Sequence, residues 1–247
     1  MTLQNKIAIV TGGSSGIGES TITQLLSQNA TVINLDISSP NITNKLLKFI
    51  EIDVTNEESV VDTIKNLYKE FHQIDFLINS AGVSARNALR DEFSDYELWK
   101  RVIDVNLNGT YLVSREVVKY MILKESGSIV NLSSIMGRVV YPQILNSLTS
   151  PYPISKGGIV QYTKNLASYV ADKGIRVNCV SPAFIITDLT KNILADEVIG
   201  NELKSRTPMK RFGTPEEVAN VINFLCSDKA SYITGVDIPV DGGYLIL

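Results

Sequence analysis

The sequence predicts an α/β fold, a doubly wound parallel sheet with helices on both faces, built as a single domain of 247 residues. Three observations predict it. Short apolar runs alternate with longer stretches of helical spacing, the pattern of successive βα units. Most of the short runs lack polar alternation, as strands buried on both faces do. The first run leads straight into a glycine-rich turn, Thr11-Gly12-Gly13-Ser14-Ser15-Gly16-Ile17-Gly18.

Strands are expected at Ile7–Thr11, Thr31–Asp36, Phe49–Asp53, Phe76–Asn79, Ser128–Ser133, Ile175–Ser181 and Asp237–Val240. Helical spacing marks Gly18–Gln28, Glu57–Phe71, Tyr96–Leu123, Ile154–Lys173 and Pro215–Cys226. Thr55-Asn56-Glu57-Glu58 supplies a cap and two first-turn acids that complement the positive helix end. Thr214-Pro215-Glu216-Glu217 does the same, with proline at the first helical position. Thr187–Lys210 fits no core element. Two readings stay open for it, a mobile substrate lid and a peripheral helical excursion.

Composition excludes several classes. With 44% hydrophobic and 20% charged residues the chain has the makings of a buried core. The net charge of −3, with no long basic run, argues against nucleic acid or an anionic membrane as partner. No stretch approaches the ~20 apolar residues that a spanning helix needs. Met1–Val10 is too short and too polar at Gln4-Asn5-Lys6 for a signal peptide. Cys179 and Cys226 give neither a disulfide framework nor metal spacing and read as buried small hydrophobes. A cytoplasmic protein without a metal is expected, and Asn41-Ile-Thr and Asn131-Leu-Ser then match the glycosylation pattern by chance. His72, the only histidine, ends a helical run on its polar side and should face solvent.

A strand feeding glycines and then a helix is the context a phosphate-binding turn requires. Glycines let the backbone approach a pyrophosphate, and the helix start offers free N–H groups and a positive dipole end. Asp36 ends the next strand, 18 residues beyond Gly18, where a carboxylate can bond both ribose hydroxyls of NAD. It would repel the 2′-phosphate of NADP, and Ser15 offers no compensating cation. NAD is therefore expected over NADP.

Tyr152 and Lys156 stand four residues apart, on one face of a helix. A phenol's reference pKa near 10 is too high for a base at neutral pH. A fixed ammonium beside it, together with the positive ring of NAD⁺, favours the phenolate. Moving that pKa to about 7 takes roughly 4 kcal/mol. The pair points to proton transfer coupled to hydride transfer between nicotinamide and an alcohol or ketone.

With these motifs in hand, the chain resembles the short-chain dehydrogenase/reductase family over nearly its whole length. Thr11–Gly18 is similar to the family's cofactor turn, which places Thr11, Gly12, Ser14, Ser15, Gly16, Ile17 and Gly18 at the cofactor. Asp53-Val54 resembles the adenine-contacting pair, and Asn79-Ser80-Ala81-Gly82 the segment after the fourth strand. Asn106 matches the structural and relay asparagine, Ser134 the catalytic serine, and Tyr152-Pro153-Ile154-Ser155-Lys156 the Tyr-x-x-x-Lys signature. Pro182-Ala183-Phe184-Ile185-Ile186-Thr187 is similar to the segment meeting the nicotinamide carboxamide, which implicates Pro182, Ile185 and Thr187. The ending, Ile233-Thr234-Gly235 through Asp241-Gly242-Gly243, also resembles the family's.

The resemblance implies a Rossmann-type fold, a catalytic set Asn106, Ser134, Tyr152 and Lys156, and a homotetramer formed through long helices and the C-terminal strand. Within the family the likeness is greatest to 3-oxoacyl-carrier-protein reductases and their catabolic NAD-linked relatives, with Asp36 fitting the latter. Two alternatives stay open: an NADPH-dependent 3-oxoacyl-carrier-protein reductase, and a catalytically silent dinucleotide-binding protein.

Ser134 and Tyr152 lie 18 residues apart, more than the family usually keeps, and the surplus falls in Gln143–Ser150. Ile144, Leu145 and Leu148 are expected to narrow or cover the substrate pocket. Ala183 stands where glycine is usual. The pocket should be bounded by Val83–Asn87, Arg138–Tyr141, the inserted loop and Phe184–Leu189, where Arg86 or Arg138 could meet an anionic group. Arg176 and Asn178 are expected to make structural contacts.

Overall fold

The structure is a computed structural model that describes residues 3–88, 93–145 and 150–247. Seven parallel strands form one sheet: β1 (Ile7–Thr11), β2 (Thr31–Asp36), β3 (Leu47–Glu51), β4 (Phe76–Asn79), β5 (Gly127–Leu132), β6 (Ile175–Pro182) and β7 (Asp237–Val240). Their spatial order is β3-β2-β1-β4-β5-β6-β7. The winding reverses between β1 and β4, and the crevice at the strands' carboxyl ends there is where such sheets bind ligands.

The helices are α1 (Gly16–Ser27), α2 (Glu57–Phe71), α3 (Ala85–Ala88), α4 (Asp95–Ile103), α5 (Gly109–Lys124), α6 (Pro151–Val170), α7 (Lys191–Ala195), α8 (Glu197–Ser205) and α9 (Pro215–Cys226). Alternate residues of each central strand feed two cores. Ile9, Ile33, Leu77, Ile129 and Val177 pack with Ile64 of α2 and Val117 and Met121 of α5. Val10, Val32, Ile78, Val130 and Val180 pack with Leu25 of α1 and Ile222 and Leu225 of α9. Burial on both faces explains why the strands read as unbroken apolar runs.

Boundaries differ from expectation where side chains divert the backbone. β3 starts at Leu47 and stops at Glu51, because the Asp53 carboxylate accepts hydrogen bonds from the Thr55 amide and hydroxyl and turns the chain. β5 begins at Gly127 and α1 at Gly16. The expected helix Tyr96–Leu123 is two helices joined by a π turn, Asp104–Asn108. That turn carries Asn106, and such turns gather at functional sites. The expected helix at Ile154 starts at Pro151, where Ser150 accepts from the Tyr152 amide at 3.4 Å. Tyr152 thereby sits in the first turn.

Lesser expectations resolve directly. Asn56 caps α2 by accepting from the Ser59 amide, and His72 is exposed at the other end of that helix with φ 58°. Both cysteines are buried. Asn131 is fully buried, so its glycosylation match has no access in the folded chain. Arg176 bonds the carbonyls of Leu225 and Ser227, and Asn178 that of Ile233. Among the described residues no helix is long and apolar enough to cross a membrane.

A third, smaller core gathers Leu145, Leu194, Leu203 and Phe212, with Ile144, Tyr141 and Phe184 against it. The 187–210 stretch is thus helical and packed on the inserted loop. Leu145 packs within that cluster, with Ile144 against it; Leu148 lies outside the described residues.

Candidate active site

A cavity of about 380 Å³ opens where β1 and β4 part. That is within the ~300–1,000 Å³ range of small-molecule and cofactor sites. Of the residues the sequence assigned to a cofactor, Gly12, Ser15, Gly16, Ile17, Asp36, Asp53, Val54, Ala81, Gly82 and Thr187 line it.

Glycine is required here by contact as well as conformation. Gly12 has φ +65°, and a Cβ on it would lie 2.6 Å from Ala81 Cα. A Cβ on Gly18 would stand 2.1 Å from the Gly12 carbonyl oxygen. The turn therefore folds backbone against backbone and leaves a shallow cradle at the start of α1. It meets the requirement for a dinucleotide's phosphates, with close backbone approach and a helix N-terminus above it.

Other predicted residues support the cavity without lining it. The buried Thr11 hydroxyl accepts from the amides of Ser80 and Ala81, both at 3.1 Å. Ser14 donates its amide to Asp36 at 2.9 Å, and its hydroxyl to the Ser38 carbonyl at 2.5 Å. Asn79 does not reach the cavity: its amide group donates to Ser114 and to Asn131, tying β4 to α5 and β5. Ile185 lines a smaller cavity beside Val240 and Gly242 instead.

The sequence reading missed Arg101 and Asn34. Arg101 lines the cavity and pairs with Asp53 at 3.3 Å. Burial would raise the Asp53 pKa, but the Thr55 hydrogen bonds and the Arg101 guanidinium outweigh it and hold the carboxyl below its usual range. Asn34, fully buried, accepts from the Gly13 amide and donates to Ser14. A polar residue inside β2 was the available signal for Asn34.

Asn106, Ser134, Tyr152 and Lys156 do not line this cavity; Asn106 and Lys156 stand behind its wall at Gly82, with Tyr152 beside Lys156 and Ser134 beside Tyr152. A Cβ on the cavity-lining Gly82 would lie 3.3 Å from Asn106 Oδ1 and 3.5 Å from Lys156 Nζ. Asn106 is fully buried; its side chain accepts from the Val83 amide at 2.8 Å and donates to the Val83 carbonyl and to Ser155. Lys156 donates to the Leu132 carbonyl at 2.7 Å, and its Nζ lies 5.6 Å from the centre of the Tyr152 ring. Burial lowers the Lys156 pKa to about 8.

Burial raises the Tyr152 pKa, and a hydrogen bond with the Ser134 side chain opposes that rise. Tyr141 stacks near Tyr152 with ring centres 6.4 Å apart, and its own pKa is raised, chiefly by burial. Arg138 is engaged with Asp237, and Arg86 lies exposed at the edge of the site.

A family model described as enoyl-(acyl carrier protein) reductase matches residues 12–245. The 3-oxoacyl-[acyl-carrier-protein] reductase FabG of Thermotoga maritima is 40% identical, with 100% of each chain covered. A short-chain dehydrogenase from Leptospira borgpetersenii serovar Hardjo-bovis, solved with bound NAD⁺, is 33% identical with a TM-score of 0.87, covering 98% of this chain and 94% of that one. ElxO, solved with NADP bound, is 32% identical with a TM-score of 0.86 and covers 98% of this chain and 99% of its own. These full-length likenesses, joined to the reversed sheet and its glycine cradle, mean that the chain belongs to the short-chain dehydrogenase/reductase family and is an NAD(P)-dependent oxidoreductase acting on CH–OH groups.

Proposed function

We propose that this protein interconverts a secondary alcohol and its ketone with NAD(H), using Tyr152 as general acid/base. One observation carries the reading: Ser134, Tyr152 and Lys156 are neighbours, and Lys156 stands behind Gly82 in the wall of the cavity that the glycine cradle also lines. When bound, the nicotinamide supplies the hydride acceptor for oxidation or the donor for reduction. Gly12, Gly16 and the start of α1 would hold its phosphates, and Lys156, with two N–H donors beyond its bond to Leu132, would hold a ribose hydroxyl.

In oxidation the Tyr152 oxygen takes the substrate hydroxyl proton, and in reduction it returns one. Ser134 donates to the same substrate oxygen and stabilises the charge that develops on it. Because burial raises the phenol, lowering its pKa toward neutrality depends on the cationic oxidised ring as well as on Ser134. Asn106 holds the Val83 segment and keeps the floor of the site beside Lys156.

Asp36 supports NAD over NADP. Its carboxylate lines the cavity, fixed by the Ser14 amide and by the Ser38 amide at 3.1 Å, and no lysine or arginine belongs to the glycine turn. A second reading, reduction of 3-oxoacyl thioesters, is favoured by the names of the curated relatives at 38–40% identity. Comparing NADH with NADPH on acetoacetyl-CoA and on a panel of cyclic alcohols, sugars and hydroxy acids separates the two. The exposed Ile246 and Leu247 support self-association, and a cytoplasmic homotetramer is the assembly we expect.

The decisive experiment is Tyr152→Phe. General acid–base groups contribute about 10²–10⁴-fold, so kcat should fall by ~10³ while NADH affinity holds. Parental turnover by this variant would end the proposal.

A further inference from the structure

Ser134 caps a short 3-10 turn, Ile135–Gly137, by accepting from the Met136 amide at 3.2 Å. On one side that turn is wedged against α6. A Cβ on Gly137 would lie 2.8 Å from the Lys156 backbone, and Ser133 donates to the Lys156 carbonyl at 2.8 Å. On the other side the turn ends in Arg138, whose guanidinium bonds both the carboxylate and the carbonyl of Asp237 on β7.

The Asp237 side chain is 4% exposed, so this carboxylate is desolvated and depends on its donors. Ser181 donates to its other oxygen at 2.6 Å. Ser181 precedes Pro182, whose carbonyl faces the Ser134 hydroxyl at 3.4 Å. One buried carboxylate therefore ties the two segments that flank Ser134: its own turn through Arg138, and the end of β6 through Ser181. The planar guanidinium fixes direction as well as distance, which a single point contact would not.

We propose that Arg138 and Asp237 are positioning residues that hold the Ser134 hydroxyl against the reacting oxygen, acting through the 135–137 turn. The proposal rests on the assignment of Ser134 made above. It also gives Arg138 a role other than the substrate contact its position in sequence suggested.

The test uses the intact protein and the panel compound it turns over fastest, with the variants Ser134→Ala, Arg138→Gln, Arg138→Lys and Arg138→Gln/Asp237→Asn. The last removes both charges, so no buried carboxylate is left unpaired if Arg138→Gln alone folds poorly. Misplacement by about 1 Å can cost up to ~10²-fold, so Arg138→Gln and the paired variant should each lose about tenfold in kcat. NADH affinity should hold, and Arg138→Lys should recover part of the loss.

Residues acting through one another are non-additive, so in the Ser134→Ala background Arg138→Gln should cost less than about twofold more. Parental kcat in both Arg138→Gln and the paired variant, or a loss fully additive with Ser134→Ala, overturns the positioning role while leaving the proposed function standing. An unaffected Ser134→Ala overturns the Ser134 assignment, and this inference with it.

Discussion

The glycine cradle and the cluster of Ser134, Tyr152 and Lys156 are held by different kinds of matter. At the cradle, backbone touches backbone: Gly12 against Ala81 and Gly18 against the Gly12 carbonyl. At the proposed reacting end, side chains from the turn after β5, from α6 and from the π turn meet through hydroxyls, an ammonium and an amide. The first arrangement tolerates no added atom. The second tolerates substitution but not displacement, because its chemistry lies in the relative placement of functional groups. A change at the cradle should therefore cost stability and cofactor affinity together, whereas a change at the reacting end should cost rate alone or even gain stability.

The largest expected departure is Gly18→Ala. Its methyl would meet the Gly12 carbonyl oxygen at 2.1 Å, and backbone can yield only by moving the turn. Overpacking of this kind costs about 1–3 kcal/mol, or roughly 3–10 °C in Tm for a chain of this size. Differential scanning calorimetry and NADH titration should show both losses. A variant with parental Tm and affinity would show the cradle to be slack.

Lys156→Met sharpens the contrast from the other end. Its amine is 5% exposed, and its pKa lies at about 8 against an ordinary value of 10.5. Below pH 8 the folded state carries a desolvated ammonium in full. As pH rises from 8 to 10.5 the folded protein sheds that proton before the unfolded chain does, so the penalty fades. With the Leu132 hydrogen bond also lost, the variant should be about 2 kcal/mol more stable at pH 7, an advantage that shrinks by pH 10. Its turnover should still collapse. Urea denaturation at the two pH values checks the sign, and a less stable variant at pH 7 would mean that the ammonium is a net structural asset.

Asp36→Asn tests selection at the cradle rather than its shape. Removing one charge opposite a 2′-phosphate should raise the NADPH to NADH ratio of kcat/KM by about tenfold, equivalent to ~1.4 kcal/mol. An unchanged ratio would remove Asp36 from coenzyme choice. The smallest effect is expected at the partly exposed Glu217, which lines neither the cavity nor the Tyr152 cluster. Arg211, and then the Thr214 amide, hold its pKa at about 2 against an ordinary 4.5. That stabilisation is present above pH 4.5 and is lost as pH falls toward 2. Half-exposed and solvent-screened, it should make Glu217→Gln cost less than ~1 kcal/mol at pH 7 by thermal melting.

Much of the architecture was legible in the chain because its cause is local. β1, β2, β4, β7, α2 and α9 fall at their expected bounds, each marked by an apolar run or by a cap followed by acids. Boundaries slipped where a side chain redirects the backbone, as Asp53 does after β3, or where a π turn hides within continuous helical spacing around Asn106. Among the site residues, glycine spacing located the cradle, but nothing local separates Asn79, which braces the sheet, from Ala81 and Gly82, which line the cavity.

By itself the sequence determined the alternation of strand and helix, the glycine turn, and the residue types gathered for proton and hydride transfer. Each follows from short-range periodicity or from conformations and contacts that only glycine permits. Only the tertiary structure decided which polar group meets which. It set Ser134 beside the phenol, drew Arg138 away to Asp237, and seated Leu145 in a core with residues of the 187–210 stretch. Such pairings join residues far apart in the chain, and burial sets their strength, so no spacing along the sequence encodes them.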